Sequence, residues 1–195
     1  GFALADALRI NYYDAEIFNE VLRRLDAEKD SVTDVADLGT DLIENKYQGS
    51  GRTIKERLKE FSRYHGLSKR DAIFFNQSDL ICEMARHEDF IVMGRCADVI
   101  LTNNHIPHIS IFITAPFEQR VHRIMEVNDL DQKKAVRLLK KLDRQHARYY
   151  NYYTGKEWGD PTNYNLVVNV SKFSLDEVAE AIIKYIEKVQ VNRTK

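Results

Sequence analysis

A doubly wound α/β domain, with a parallel sheet between two helical layers, is the fold this sequence predicts. Three observations carry that expectation. Helical-period segments alternate with short apolar, β-branched runs, the rhythm of parallel strands joined by crossover helices. The run Phe90 to Met93 stops abruptly at Gly94 and Arg95, as a fully buried parallel strand does when it turns at its carboxyl end. A chain of 195 residues suffices for one domain with its own core. In open α/β sheets, ligands sit beyond the carboxyl ends of the strands. A cation at that place, Arg95, therefore points to a phosphate or carboxylate ligand, because its planar fork matches such groups. The alternative is a surface arginine after a core strand.

Gly1 to Leu8 carries the apolar spacing of a helix without a start signal. The expectation is a missing strand and turn upstream, of roughly 15 to 20 residues. Ile10 to Tyr13 reads as a short strand. Asp14 follows it, either capping a helix from Ala15 to about Ala27 or facing the crevice as a ligand. Residues 26–66 are charged and hold Gln48-Gly49-Ser50-Gly51. No strand precedes that tract, so it reads as a linker between helices, with a further helix from Thr53 to Tyr64. Ser68 and Asp71 resemble a capping box for a core helix with Ile73, Phe74, Leu80, Ile81 and Met84 at helical spacing. Gln77 falls inside that apolar set, either bonded within the core or open to the crevice.

After the strand at Phe90, a short helix from Ala97 to Leu101 carries Asp98. Ile109 to Thr114 reads as a second buried strand, and Pro116 suits the first position of a helix from Phe117 to about Val127. Arg120 and Arg123 lie one turn apart on it. A long helix opens at Asp131 and runs to about Tyr153. Its apolar set is Ala135, Leu138, Leu139 and Leu142, and its basic set Arg137, Lys141, Arg144 and Arg148 clusters on the opposite side. That stripe is either a solvated face or a ligand surface. The segment Arg148-Tyr-Tyr-Asn-Tyr-Tyr-Thr-Gly-Lys-Glu-Trp-Gly-Asp-Pro places rings beside cations, which suits a flap over a nucleotide or a protein interface. Tyr164 to Val170 is the last strand. Ser174 with Glu177 caps a final helix that packs through Val178, Ala181, Ile182, Tyr185 and Ile186.

Composition narrows the function classes. A formal net charge of −1 gives no general attraction to nucleic acid or anionic membrane. Anion binding must then come from local basic clusters. Two cysteines, Cys82 and Cys96, make no disulfide framework and point to a reducing, cytoplasmic compartment. No apolar run reaches the length of a membrane span, and the six histidines show no zinc-ligand spacing.

With these residues in view, the chain resembles the cytidylate kinase-like family of P-loop nucleoside monophosphate kinases. The likeness runs essentially end to end. It is sharpest in Gly94-Arg95-Cys96-Ala97-Asp98 and in Tyr152-Tyr153-Thr154-Gly155-Lys156-x-Trp158-Gly159. Phe112-Ile113-Thr114-Ala115-Pro116 with Arg120, and Tyr164-Asn165-Leu166 with Asn169, support it. The resemblance implies a P-loop fold over residues 1–195, with a helical nucleoside monophosphate-binding insertion at about 26–66 and a lid at about 137–163. It also implies phosphoryl transfer from ATP, with Mg²⁺, to a small-molecule nucleotide, CMP or dCMP first. Arg95 and Asp98 would then hold the acceptor, with Asp14, Gln77 and Arg120 nearby. Arg144 and Arg148 would neutralise the phosphoryl group in flight, and Lys156 would lie on the ATP side. Metal ligands are not identified.

Two departures stand out. The family's glycine-rich phosphate loop lies before the first helix and is absent from these residues. His146 occupies a lid position where another basic residue is expected. The alternative function is a catalytically silent module of the same fold that binds a nucleotide or a partner. A third reading is a kinase of another small acceptor.

Overall fold

The computed structural model describes residues 1–14 and 68–193. The expected helices of 15–27 and 53–64, the insertion at 26–66 and the glycine tract of 48–51 lie outside them. The chain divides into two compact units, Gly1–Pro107 and His108–Lys195.

In the first unit, α1 (Phe2–Leu8) ends at Arg9 in the left-handed region and leads into β1 (Asn11–Tyr13). Helix α2 (Lys69–His87) follows, then β2 (Phe90–Val92) and α3 (Ala97–Asn103). Strands β1 and β2 pair in parallel, with Asn11 opposite Phe90 and Tyr13 opposite Val92. Ser68 caps α2 by accepting from the Asp71 amide at 3.2 Å. The return bond differs from a full capping box: the Ser68 hydroxyl donates to Asp71 Oδ2 at 2.7 Å. Aspartate is one methylene shorter than the glutamate of the usual box. The α2 core is Leu80, Ile81 and Met84, all closed off from solvent.

In the second unit, β3 (Ile111–Thr114) and β4 (Leu166–Asn169) form another parallel ladder, Ile111 opposite Leu166 and Thr114 opposite Asn169. Asn165 ties its beginning, accepting from the Ser110 amide at 2.8 Å. Between the strands come α4 (Phe117–Asn128), α5 (Gln132–Thr154) and a 3₁₀ turn, Pro161–Asn163. Helix α6 (Leu175–Arg193) ends the described chain. Val121, Ala135 and Leu139 form the buried centre of the α4–α5 hairpin, with Phe117, Ile124, Met125, Leu130 and Val136 packed around it. Asp131 caps α5 by accepting from the Lys134 amide at 2.8 Å. Ser174 and Glu177 form the complete reciprocal box, at 2.8 Å and 3.3 Å.

The pairing is parallel, as the helix–strand rhythm predicts, but it takes the form of two two-stranded ladders. The strands expected to be fully buried are half-buried along β2, and Met93 and Ile113 are exposed. Each strand has one paired neighbour among the described residues. Pro116 is the cap of α4 rather than its first residue, because its extended ψ of 145° lies outside the helical region. Val178 and Ile182 seat α6, whereas Ala181 is exposed. Among the described residues, no helix is long and apolar enough to cross a membrane.

Candidate functional site

Parallel pairing brings the carboxyl ends of β1 and β2 to one edge. The Met93 amide donates to the Tyr13 carbonyl at 2.8 Å, which extends the ladder by one bond. Asp14 and the Gly94–Asp98 turn therefore leave the same edge of the first unit. Asp98 lies in the first turn of α3. Two candidate acceptor-binding side chains and Asp14 thus gather where α/β sheets place ligands.

The turn itself is strained. Gly94, Arg95 and Cys96 hold φ values of 69°, 57° and 57°. Glycine adopts this region freely, but the side-chain-bearing residues each pay about 1–2 kcal/mol. Such backbone persists only where the surroundings over-determine it, and it gathers at ligand clamps. Arg95 is 8% exposed, a cation held inside the protein rather than on its surface. Gln77 is 0% exposed, set in α2 and closed off from solvent.

The cysteine in this turn is buried. Burial pushes the Cys96 thiol from 9.0 up to about 12, with Asp98 adding to the effect and Arg95 opposing it. Burial also raises Cys82, Arg86 opposing and Asp79 adding. The folded protein should give no thiol reaction with a disulfide reagent at about pH 8, and two equivalents once denatured. An early equivalent from native protein would contradict the burial. Unfolded Cys96 ionises near its ordinary value, whereas the folded thiol ionises only near about 12. Its stabilising contribution is therefore complete below about pH 9 and lost as pH rises toward about 12. The denaturant midpoint should fall more steeply over that window in the native protein than in Cys96→Ala.

In the second unit, Arg144 and Arg148 lie on the exposed side of α5 with Arg137 and Lys141. Among the described residues, no ion pair engages Arg137, Arg144 or Arg148. Arg120, the other candidate acceptor contact, pairs with an acid of α5. Its two terminal nitrogens donate to Asp143 at 2.9 Å and 2.8 Å. That hydrogen bonding is the main cause that raises its already high pKa, with burial opposing and the Asp143 charge adding. Sequence reading missed Asp143, although it is the one acid between Gln132 and Thr154. An isolated acid in a basic helix was the available signal.

The aromatic segment after Arg148 is mostly built inward. Thr154 donates to the Tyr150 carbonyl, Gly155 ends α5 with φ 67°, and the Trp158 amide donates to Asn151 Oδ1 at 3.0 Å. The Trp158 ring meets Phe112 of β3 edge-on at 5.6 Å and tilts over His146 at 5.5 Å. Gly159 has φ 85°, and a Cβ there would meet the Phe112 ring at 3.4 Å. Trp158 therefore packs on β3, with His146 as its stacking partner. Tyr152 stays 65% exposed one turn beyond Arg148, and Lys156 is exposed.

The chain is similar to several known proteins. Cytidylate kinase of Methanocaldococcus jannaschii is 25% identical over 134 residues, 68% of this chain and 74% of that protein. That of Staphylothermus marinus is 28% identical over 140 residues, 67% of this chain and 77% of its own. A crystal structure of a protein from Eubacterium ventriosum matches with a TM-score of 0.67 at 28% identity, over 95% of this chain and 88% of that one. Residues 1–172 match the family described as cytidylate kinase-like. The chain belongs to the cytidylate kinase-like family.

Proposed function

We propose that the protein transfers a phosphoryl group from ATP to a nucleoside monophosphate, with CMP or dCMP as the acceptor. The observation that carries this reading is the shared edge of β1 and β2, from which Asp14 and the strained Gly94–Asp98 turn depart. In this reading the sheet is the doubly wound P-loop sheet of the family, and the α5 region is its lid. Arg95 grips the acceptor phosphate through its planar fork, and Asp98 accepts from the base. Gln77 supports the acceptor pocket from inside α2.

The new P–O bond forms to an acceptor phosphate oxygen while the bond to the β–γ bridging oxygen breaks, leaving ADP. Charge spreads over the three equatorial oxygens, so positioning and donors are what the protein must supply. Arg144 and Arg148 supply those donors, and Lys156 takes the ATP side. Their exposure, free of ion pairs among the described residues, fits a polyphosphate. Among the described residues, no group of three His, Cys, Asp or Glu could hold a metal. Mg²⁺ is commonly held by one or two carboxylates with substrate phosphates and water, and Asp14 can serve as one such carboxylate. Bound there, the ion would supply charge neutralisation to the phosphates.

The test is ADP formation by the full-length protein with CMP, dCMP, UMP and AMP as acceptors. Turnover that depends on CMP or dCMP is expected. Turnover with AMP alone would overturn the acceptor assignment. No turnover in folded protein would sink the kinase reading and favour the silent nucleotide-binding module, which nucleotide-dependent thermal shifts would then reveal.

A further inference from the structure

Helix α5 is gripped in different ways along its length, by apolar packing, by one ion pair and, further on, by Trp158 over His146. Near the turn, Ala135 and Leu139 pack on Val121, and Phe117, Ile124 and Met125 of α4 complete the contact. Such apolar contacts are non-directional. One turn past Leu139, the grip becomes an Arg120–Asp143 pair with two parallel bonds of 2.9 Å and 2.8 Å. The side chains are 34% and 28% exposed. A single exposed ion pair adds little, but a bidentate arginine–carboxylate pair is directional as well as strong. Arg120 Nε is left buried without a hydrogen-bond partner among the described residues. The guanidinium is therefore oriented by Asp143 and not by satisfaction of all its donors.

We propose that Asp143 is a positioning residue, whose hold on Arg120 fixes the rotation of α5 and so sets where Arg144 and Arg148 present their charges. This rests on the reading of those two arginines as donors to the transferred phosphoryl group. Arg144 and Arg148 lie about 100° and 140° around the helix from Asp143. A rotation of about 20° moves a group carried about 6 Å from the axis by roughly 2 Å. Misplacement of about 1 Å can cost on the order of a hundredfold in rate. Arg120 sits in the first turn of α4, so the pair is fixed at the level where α4 begins and α5 continues past it. The role assigned to Arg120 is the clamp rather than a direct acceptor contact.

The experiment uses Asp143→Asn, which keeps the shape and removes the charge, and the swapped protein Arg120→Asp/Asp143→Arg. Asp143→Asn should lower kcat about tenfold to a hundredfold, with the acceptor KM within about twofold. The swap should regain most of the lost kcat. Hydrogen exchange should quicken at amides 144–152 in Asp143→Asn and stay unchanged at 132–139, whether or not the protein turns over. Unchanged exchange at 144–152 would overturn the proposal. So would a swapped protein that stays slow and shows a raised acceptor KM, since Arg120 would then contact the acceptor itself. Absence of turnover in the unaltered protein would overturn the proposed function alone, leaving the exchange pattern to decide this one.

Discussion

Arg148→Ala should lower kcat by about 10²–10³-fold while leaving the acceptor KM nearly unchanged, the loss that follows removal of one donor to developing charge. The reason lies in when the contact is made. Arg148 is exposed on α5 and tied into no ion pair among the described residues, so its charge is available to a ligand. An interaction that strengthens only as charge spreads over the transferred phosphoryl group raises kcat, whereas one made equally in the ground state changes KM. Arg144→Ala should behave alike, because the two residues lie one turn apart on the same side. Arg148→Lys should recover part of the loss, since an ammonium keeps the charge without the planar fork. Steady-state kinetics on the three variants make the check. An unchanged kcat in Arg148→Ala would show that the stripe is a solvated face.

Arg95→Ala should act on the other parameter, raising the acceptor KM or Kd by about 10²-fold, at about 1.5–3 kcal/mol for each charged hydrogen bond removed. Arg95 is buried and stands at φ 57° beside Gly94. Alanine at that φ carries the same backbone strain as arginine, so Arg95→Ala removes the guanidinium without relaxing the turn. Arg95→Gly relieves the strain and should lose binding equally while being more stable than Arg95→Ala, by about 1 kcal/mol. Calorimetric titration with CMP, paired with thermal unfolding, separates the two effects. Tight CMP binding by Arg95→Ala would remove Arg95 from the acceptor site. If Arg95→Gly bound well and Arg95→Ala did not, the effect would belong to the backbone.

These two experiments probe opposite sides of one proposed reaction, and their legibility in the sequence differed. Gly94-Arg95-Cys96-Ala97-Asp98 stood out because an apolar run ended on a glycine and a cation. What no pattern showed was the left-handed backbone across three successive residues. Intrinsic preference argues against that conformation for Arg and Cys, and only the surrounding packing can impose it. The basic stripe of α5 was legible from helical spacing. Its lone acid, Asp143, was visible but unread, because its partner Arg120 lies 23 residues away.

By itself, the sequence determined the features that depend on a few neighbouring residues. The capped starts of α2, α5 and α6 follow from Ser68, Asp131 and Ser174, whose side chains reach amides three residues on. The helical stripes follow from a 3.6-residue period, and parallel pairing follows from helices separating the strands. Tertiary structure alone decided which surfaces meet. It turned Trp158 onto Phe112, closed Gln77 into the core, committed Arg120 to Asp143, and left β2 and β3 only partly covered. Each of these depends on the packing of residues distant in sequence, and hydrophobic or charged character fixes that a group needs a partner without saying which one it will find.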